Sequence, residues 1–176
     1  MPRTRRILLP SHVQHVMNRG NGHQRVFDDH EDYEDFIELL ARAGDHSPVP
    51  LLAFSLMPNH WHLVLWPTSP RSLSAYMHWL TSTHVLRLHR RRGTTGKGHI
   101  YQDRYRHVTV MNEHQFLVLC RYVESNAASA GLVKRAEDWP YCSLTRTKTR
   151  SGRELLSPWP VPRPPGWAEY LNDNLG

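Results

Sequence analysis

His60 and His62 are separated by one residue, and the stretch Leu56-Met57-Pro58-Asn59-His60-Trp61-His62-Leu63-Val64-Leu65-Trp66 alternates after its Pro-Asn turn signal. Successive side chains of a β-strand leave opposite faces. The two imidazoles therefore share one face, while Trp61, Leu63 and Leu65 share the other. Two residues of strand advance the chain by about 6.6 Å, so both rings can converge on one cation. Imidazole is a borderline ligand that suits Zn, Mn or another divalent ion. In a chain with thirteen histidines such a pair also arises by chance, so the remaining chemistry has to come from elsewhere.

A second group stands further on. From Glu113 the sequence predicts a helix to about Ala130, closed by Gly131 as a C-cap. At about 100° per residue, Phe116, Leu119, Cys120, Val123 and Ala127 fall in one arc, which faces the core. Tyr122 and Asn126, four residues apart, emerge side by side at its margin, with Glu124 nearly opposite. A phenol and a carboxamide placed there can reach a metal held on a neighbouring strand. The chemistry would be phosphodiester cleavage: the tyrosine oxygen attacks phosphorus, the divalent ion polarises a non-bridging oxygen, and the 3′-oxygen leaves. A covalent phosphotyrosine keeps the bond energy for rejoining. Read alone, Tyr122 is more commonly an amphipathic tyrosine at a core boundary.

The elements that would position these residues follow from periodicity. Val13 to Met17 alternates as a first strand and stops at Asn18-Arg19-Gly20-Asn21-Gly22. Asp28-Asp29-His30-Glu31 opens a helix with Tyr33, Phe36, Ile37 and Leu40 on one face to about Ala43. Leu51 to Leu56 is a second strand, and the histidine strand is its hairpin return. Leu73, Tyr76, Met77, Leu80, His84 and Leu88 keep a helical period to about His89. Tyr101 to Val110 reads as a fourth strand on which Tyr101, Asp103 and Tyr105 share a face. The order predicts an α+β fold, a four-stranded antiparallel sheet with ferredoxin-like split βαβ topology and helices mainly on one face. The first strand lies beside the histidine strand, and the third helix packs near it. An irregular C-terminal tail, packed by Trp139, Trp159 and Trp167 and ending in a short helix near Trp167 to Leu171, completes the chain.

With 176 residues and a formal charge of +6, the chain is one domain with a tail and favours a polyanionic partner, nucleic acid before membrane. No run is long and apolar enough for a bilayer, residues 1 to 10 are a basic, proline-bounded lead-in, and Cys120 and Cys142 form neither a metal spacing nor a disulfide framework. A reduced, cytoplasmic setting follows.

Three motifs carry a resemblance. Asn18-Arg19-Gly20-Asn21, the Leu56 to Leu63 stretch, and Cys120-Arg121-Tyr122-Val123-Glu124-Ser125-Asn126 running into Ala130-Gly131-Leu132-Val133 resemble the REP-associated tyrosine transposases, relatives of the single-tyrosine insertion-sequence transposases. The likeness spans roughly residues 3 to 144 and includes Trp139 to Leu144; it makes 1–144 the nuclease domain and 145–176 a basic, then proline-rich tail. It implies a single-strand DNA endonuclease of the His-hydrophobic-His class, with His60, His62 and Asn126 as metal ligands, Mg or Mn as the ion, no small-molecule cofactor, and Tyr122 as the nucleophile forming a 5′-phosphotyrosine. The implied substrate is a repetitive extragenic palindrome, a DNA hairpin with single-stranded recognition sequence beside it. Relatives include both homodimers and monomers.

For the DNA contacts the sequence offers Arg19 and Asn21 in the Asn/Gly loop, Arg87, Arg90, Arg91 and Arg92 at the end of the second helix, Lys97 in the glycine-rich loop, and Arg104 and Arg106 on the fourth strand. The cations at the helix end predict a phosphate-tracking surface, with helix C-terminal pairing as the alternative. A competing function is a non-cleaving, sequence-specific nucleic-acid binding protein on the same fold, with Tyr101 and Tyr105 stacking bases. A histidine-zinc hydrolase lacks a further ligand at recognisable spacing.

Overall fold

A computed structural model describes residues 12–173; the basic lead-in over residues 1 to 10 lies outside them. The alternating segments form strands β1 (Gln14–Arg19), β2 (Leu51–Met57), β3 (His60–Leu65) and β4 (Arg106–Thr109) in one antiparallel sheet of order β2-β3-β1-β4. Helix α1 (His30–His46) joins β1 to β2, and α2 (Pro70–Arg92) joins β3 to β4. These are the two halves of the expected split βαβ topology, with β1 beside the histidine strand. The β2–β3 hairpin turns on Pro58-Asn59.

Helices α1 and α2 each begin where a short polar side chain can accept from a backbone amide that has no partner within the helix. Asp29 caps α1 by accepting from the Asp32 amide. Ser69 and Ser72 form a reciprocal box at α2, with Pro70 beside the cap. Gly93, at φ +63°, closes α2 in the left-handed conformation. Phe36, Ile37 and Leu40 of α1 and Leu73, Tyr76 and Leu80 of α2 pack on Val16, Phe54, Trp61, Leu63 and Leu65. The third helix, α3 (Glu113–Glu124), lies on the opposite face, where Phe116, Cys120 and Val123 meet Ala53 and Val64. The period of two thus sends His60 and His62 toward α3 and Trp61 toward α2. Both cysteines are buried free thiols, and no helix among the described residues is long and apolar enough to cross a membrane.

Three local expectations are corrected. The helix expected to reach Ala130 ends at Ser125, whose hydroxyl turns back to the Arg121 carbonyl at 2.7 Å. That bond competes with helix continuation, and a separate turn, α4 (Asn126–Ser129), follows before Gly131 at φ +73°. The fourth strand starts at Arg106 instead of Tyr101. The chain makes one bridge at Gly20–Tyr101 and bends through 102–104, so Tyr101 and Tyr105 do not share an exposed face with Asp103: both are buried while Asp103 is exposed. The cause is a hydrogen-bond chain. Trp61 Nε1 donates to Tyr101 Oη at 2.8 Å, and that hydroxyl meets His84 Nδ1 at 2.7 Å.

Glu124 is the third correction. The helical wheel sets it opposite the core arc, yet it is 1% exposed. Its carboxylate accepts from Ser143 Oγ at 2.6 Å, Trp167 Nε1 at 2.7 Å and Arg163 Nη1 at 3.2 Å. The tail, including α5 (Trp167–Asn172), covers the outer side of α3 with Trp167 and Leu171. Removing this carboxylate strands an indole and a hydroxyl donor, each worth about 1–3 kcal/mol when buried without a partner. Glu124→Ala should therefore lower the unfolding free energy by roughly 3 kcal/mol in urea titrations, where a solvent-facing glutamate would change it by little.

His84 generates a pH prediction. Burial, then the charges of Arg92, Arg91 and Arg87, push its pKa down to about 3, against about 6.5 in an unfolded chain. The folded protein holds this ring neutral, so its contribution is complete above pH ~6.5 and falls as the pH drops toward the folded value. At pH 4.5 that loss is about 2–3 kcal/mol. Urea unfolding at pH 7.5 and 4.5 should show wild type losing more stability than His84→Gln; equal losses would mean that His84 is not held neutral.

Candidate active site

The site is built where β1 ends and β3 begins, beside α3. In the β1–β3 register Met17 faces His62 and Arg19 faces His60; in the β1–β4 register Met17 faces Arg106. Paired residues of antiparallel strands project to the same side, so Arg19, Arg106 and both histidines stand over one sheet face. They line a cavity of about 420 Å³ together with Asn18, His23, Gln102, Asp103, Arg104 and Tyr122. Gly20 makes the loop possible: a Cβ there would lie 2.1 Å from the Gln24 carbonyl oxygen. Its amide donates to the Asn59 carbonyl at 2.8 Å. The Asn18-Arg19-Gly20-Asn21 motif thus folds against the Pro58-Asn59 turn and holds Arg19 at the histidine pair.

His60 is oriented from two sides. Its Nδ1 lies 2.7 Å from Asn59 Oδ1. An amide oxygen only accepts, so Nδ1 carries the proton and Nε2 keeps its lone pair. A further side-chain hydrogen bond joins His60 to Asn126, which is buried at the start of α4. His62 is 4% exposed, and its Nε2 has no hydrogen-bond partner. Its Nδ1 lies 3.0 Å from Nε2 of His15. Burial pushes His15 down to about 4; burial and then Arg19 push His60 down to about 4; burial, then His15, His60 and Arg19, push His62 down to about 3. The three rings stay neutral at pH values where free imidazole is charged, which is the state a metal ligand needs.

Tyr122 is 50% exposed at the cavity rim. Its ring lies 5.3 Å from that of His62 and 6.1 Å from that of His15, edge-on to both. The geometry brings together Tyr122, His60, His62 and, through His60, Asn126. Among the described residues no group of three His, Cys, Asp or Glu side chains is placed to hold a metal. A cation at the histidine pair would need a further ligand of another type, and the carboxamide of Asn126 stands beside His60. The orphaned, buried Nε2 of His62 fits such an ion.

The cations divide. Arg19, Arg104 and Arg106 line the cavity; Asn21 and Lys97 are exposed and do not. Arg87 pairs with Asp35, Arg91 with Asp32 at 2.5 Å and Asp29 at 3.7 Å, and Arg92 with Asp28 at 2.8 Å. Arg90 lies exposed in the same α1–α2 crevice. Carboxylates just before and within the first two turns of α1 thus engage most of the cluster expected to track phosphate, and pairing at the helix end accounts for it. Burial of Tyr101 and Tyr105 likewise removes the stacking platform of the binding-only alternative. His15, Asn59 as the orienter of His60, and Gln102 are not signalled by residue spacing. For His15 the only signal is the strand register, which sets it diagonal to His62.

Comparison with known proteins bears on the fold and the family. No curated protein matches the chain. The structure of a REP-associated tyrosine transposase bound to a REP hairpin superposes with a TM-score of 0.68 at 17% identity, covering 93% of this chain and 94% of that one. A protein of Deinococcus radiodurans R1, described as a transposase, gives a TM-score of 0.49 at 17% identity over 69% of this chain and 95% of that one. The first likeness establishes a shared fold. A family model described as "Transposase IS200 like" matches residues 9–126, and so runs through Asn126. On that match, which spans more than half of the sequence, the chain belongs to the IS200-like transposase family.

Proposed function

We propose that this protein is a divalent-metal-dependent single-strand DNA endonuclease and strand transferase that nicks REP-type hairpin DNA through a 5′-phosphotyrosine on Tyr122. The observation that carries the reading is the convergence on one basic cavity of a half-exposed phenol, two neutral histidines and, beside His60, a buried carboxamide. Hairpin DNA as substrate is supported by the hairpin-bound relative with the same fold. His60, His62 and Asn126 would hold Mg or Mn, which when bound withdraws charge from a non-bridging phosphate oxygen.

The chain's own residues do the rest. Arg19, Arg104 and Arg106 draw the phosphodiester into the cavity and fix it below Tyr122. The phenolic oxygen bonds to phosphorus, its proton passes to solvent, and the bond from phosphorus to the 3′-oxygen breaks. The departing oxygen takes up a proton as a 3′-hydroxyl. Attack by a 3′-hydroxyl of the same or another strand reverses these steps and frees the tyrosine.

Two measurements test this. With end-labelled single-stranded hairpins and Mn, wild type should retain the 3′ fragment covalently on a denaturing gel. Tyr122→Phe should show neither adduct nor cleavage while binding hairpins within about twofold of wild type. Cleavage by Tyr122→Phe at the wild-type rate would remove Tyr122 as nucleophile, and hairpin binding by wild type without any adduct would favour a binding protein. The second uses salt. Arg19→Ala, Arg104→Ala and Arg106→Ala should each flatten the slope of log affinity against log salt by about 0.7. Arg91→Ala should leave the slope unchanged and lower the melting temperature. The reverse pattern would return phosphate tracking to the end of α2.

A further inference from the structure

We propose that His15 is a positioning residue that fixes the tautomer of His62, so that the Nε2 lone pair of His62 faces the cavity. The inference rests on the metal reading above for its purpose, but its geometry stands independently. His15 faces Val64 and Met17 faces His62 in the β1–β3 register. His15 is therefore the diagonal neighbour of His62 on the same sheet face, within reach of long side chains. The ring centroids lie 5.2 Å apart with planes 26° from parallel, and the facing nitrogens approach to 3.0 Å, an end-to-end arrangement suited to a hydrogen bond. His15 is 8% exposed and His62 4%, so water does not compete for this contact.

Two imidazoles can share one proton along this line in two ways. If His15 Nε2 carries it, His62 Nδ1 accepts, and the proton of neutral His62 moves to Nε2. That atom is buried and has no partner, so the arrangement leaves an orphaned N–H, the rarest kind of unsatisfied group. If His62 Nδ1 carries the proton and His15 Nε2 accepts, His62 presents a bare lone pair at the same place. An open acceptor costs less than an open donor and is what a cation fills. His60 already follows this rule, since its Nδ1 donates to the Asn59 oxygen.

Each histidine of the pair thus has its own orienting acceptor from a neighbouring element, the turn for His60 and β1 for His62. Metal-bound histidines generally rely on such a partner, often a carboxylate. Here the acceptor of His62 is an imidazole whose ring also stands edge-on to Tyr122 at 6.1 Å. A carboxylate at this point would set the tautomer equally well but would place negative charge beside the phosphate that must approach. A neutral ring orients His62 without that repulsion.

Long-range proton–nitrogen correlation spectra of the metal-free wild type, with His62 assigned through His62→Asn, read the tautomer directly. The expected result is His62 protonated on Nδ1 with bare Nε2. His15→Phe, which keeps the ring and removes the acceptor, should lose this preference and weaken Mn binding, followed by paramagnetic resonance, by about 10–100-fold. His15→Gln, which restores an acceptor, should recover both most of the way, a recovery that a space-filling role would not produce. His62 protonated on Nε2 in the wild type, or wild-type tautomer and Mn affinity in His15→Phe, would overturn the assignment. If His15→Phe does not fold, the wild-type spectrum still decides it. Wild type that shows the tautomer and its dependence on His15 but binds no Mn would uphold the role of His15 and sink the metal reading.

Discussion

The constraint on which the rest depends is the two-residue period of β3, held in place from both edges. β1 and β2 pair with it antiparallel, so its register cannot slip without turning every side chain to the wrong face. A one-residue slip would place Trp61 over the cavity and two histidines in the apolar layer. Trp61 guards against this from behind. Its indole is fully buried and donates to Tyr101, which is bound to His84 of α2. The same chain of hydrogen bonds anchors the loop that carries Gln102, Asp103 and Arg104 to the cavity. One alternating strand therefore fixes the histidine pair in front and part of the cavity wall through its back.

Electrostatics is apportioned by the fold, and the net charge of +6 conceals how. The carboxylates of the first turns of α1 meet the arginines of the last turns of α2, and each set also lies at the helix end whose partial charge it complements. Those arginines lock two helices together. Arg19, Arg104 and Arg106 have no such ladder and stand around the histidines. A guanidinium beside His60 and His62 favours their neutral form while attracting a phosphate. The two effects work together: Arg19, which would hold the substrate, adds to the burial that keeps the ring nitrogens of His60 and His62 unprotonated.

The legible part of this fold is what period and punctuation encode. The hairpin, the sheet order about β1 and β3, the faces of α1 and α2, and the grouping of His60, His62, Tyr122 and Asn126 follow from alternation, helical spacing and motif. What escaped depends on contacts distant in sequence. Tyr101 to Tyr105 alternates like a strand, but one buried hydroxyl partnered by Trp61 and His84 outweighs that local pattern. The wheel sets Glu124 outside because a wheel knows only its own helix, whereas Trp167, 43 residues on, supplies the cover. His15 sits in an ordinary alternating strand, and only the register reveals its neighbour. For Arg87 to Arg92 the local pattern favours phosphate tracking over helix-end pairing, and only the proximity of α1 reverses that order.

The break at Ser125 bears on the proposed chemistry more than the continuous helix would. In an unbroken helix Tyr122 and Asn126 would share one margin and a similar exposure. Here the helix closes at Glu124, pinned by the tail, and Asn126 starts a new turn that buries it against His60 while Tyr122 remains half exposed. A metal ligand works best held rigidly by its surroundings. A nucleophile that must meet a large substrate and then carry a strand away needs open space. Two residues one helical turn apart thus acquire the different environments that a nucleophile and a metal ligand would require, through one serine that turns its hydroxyl back on the preceding turn.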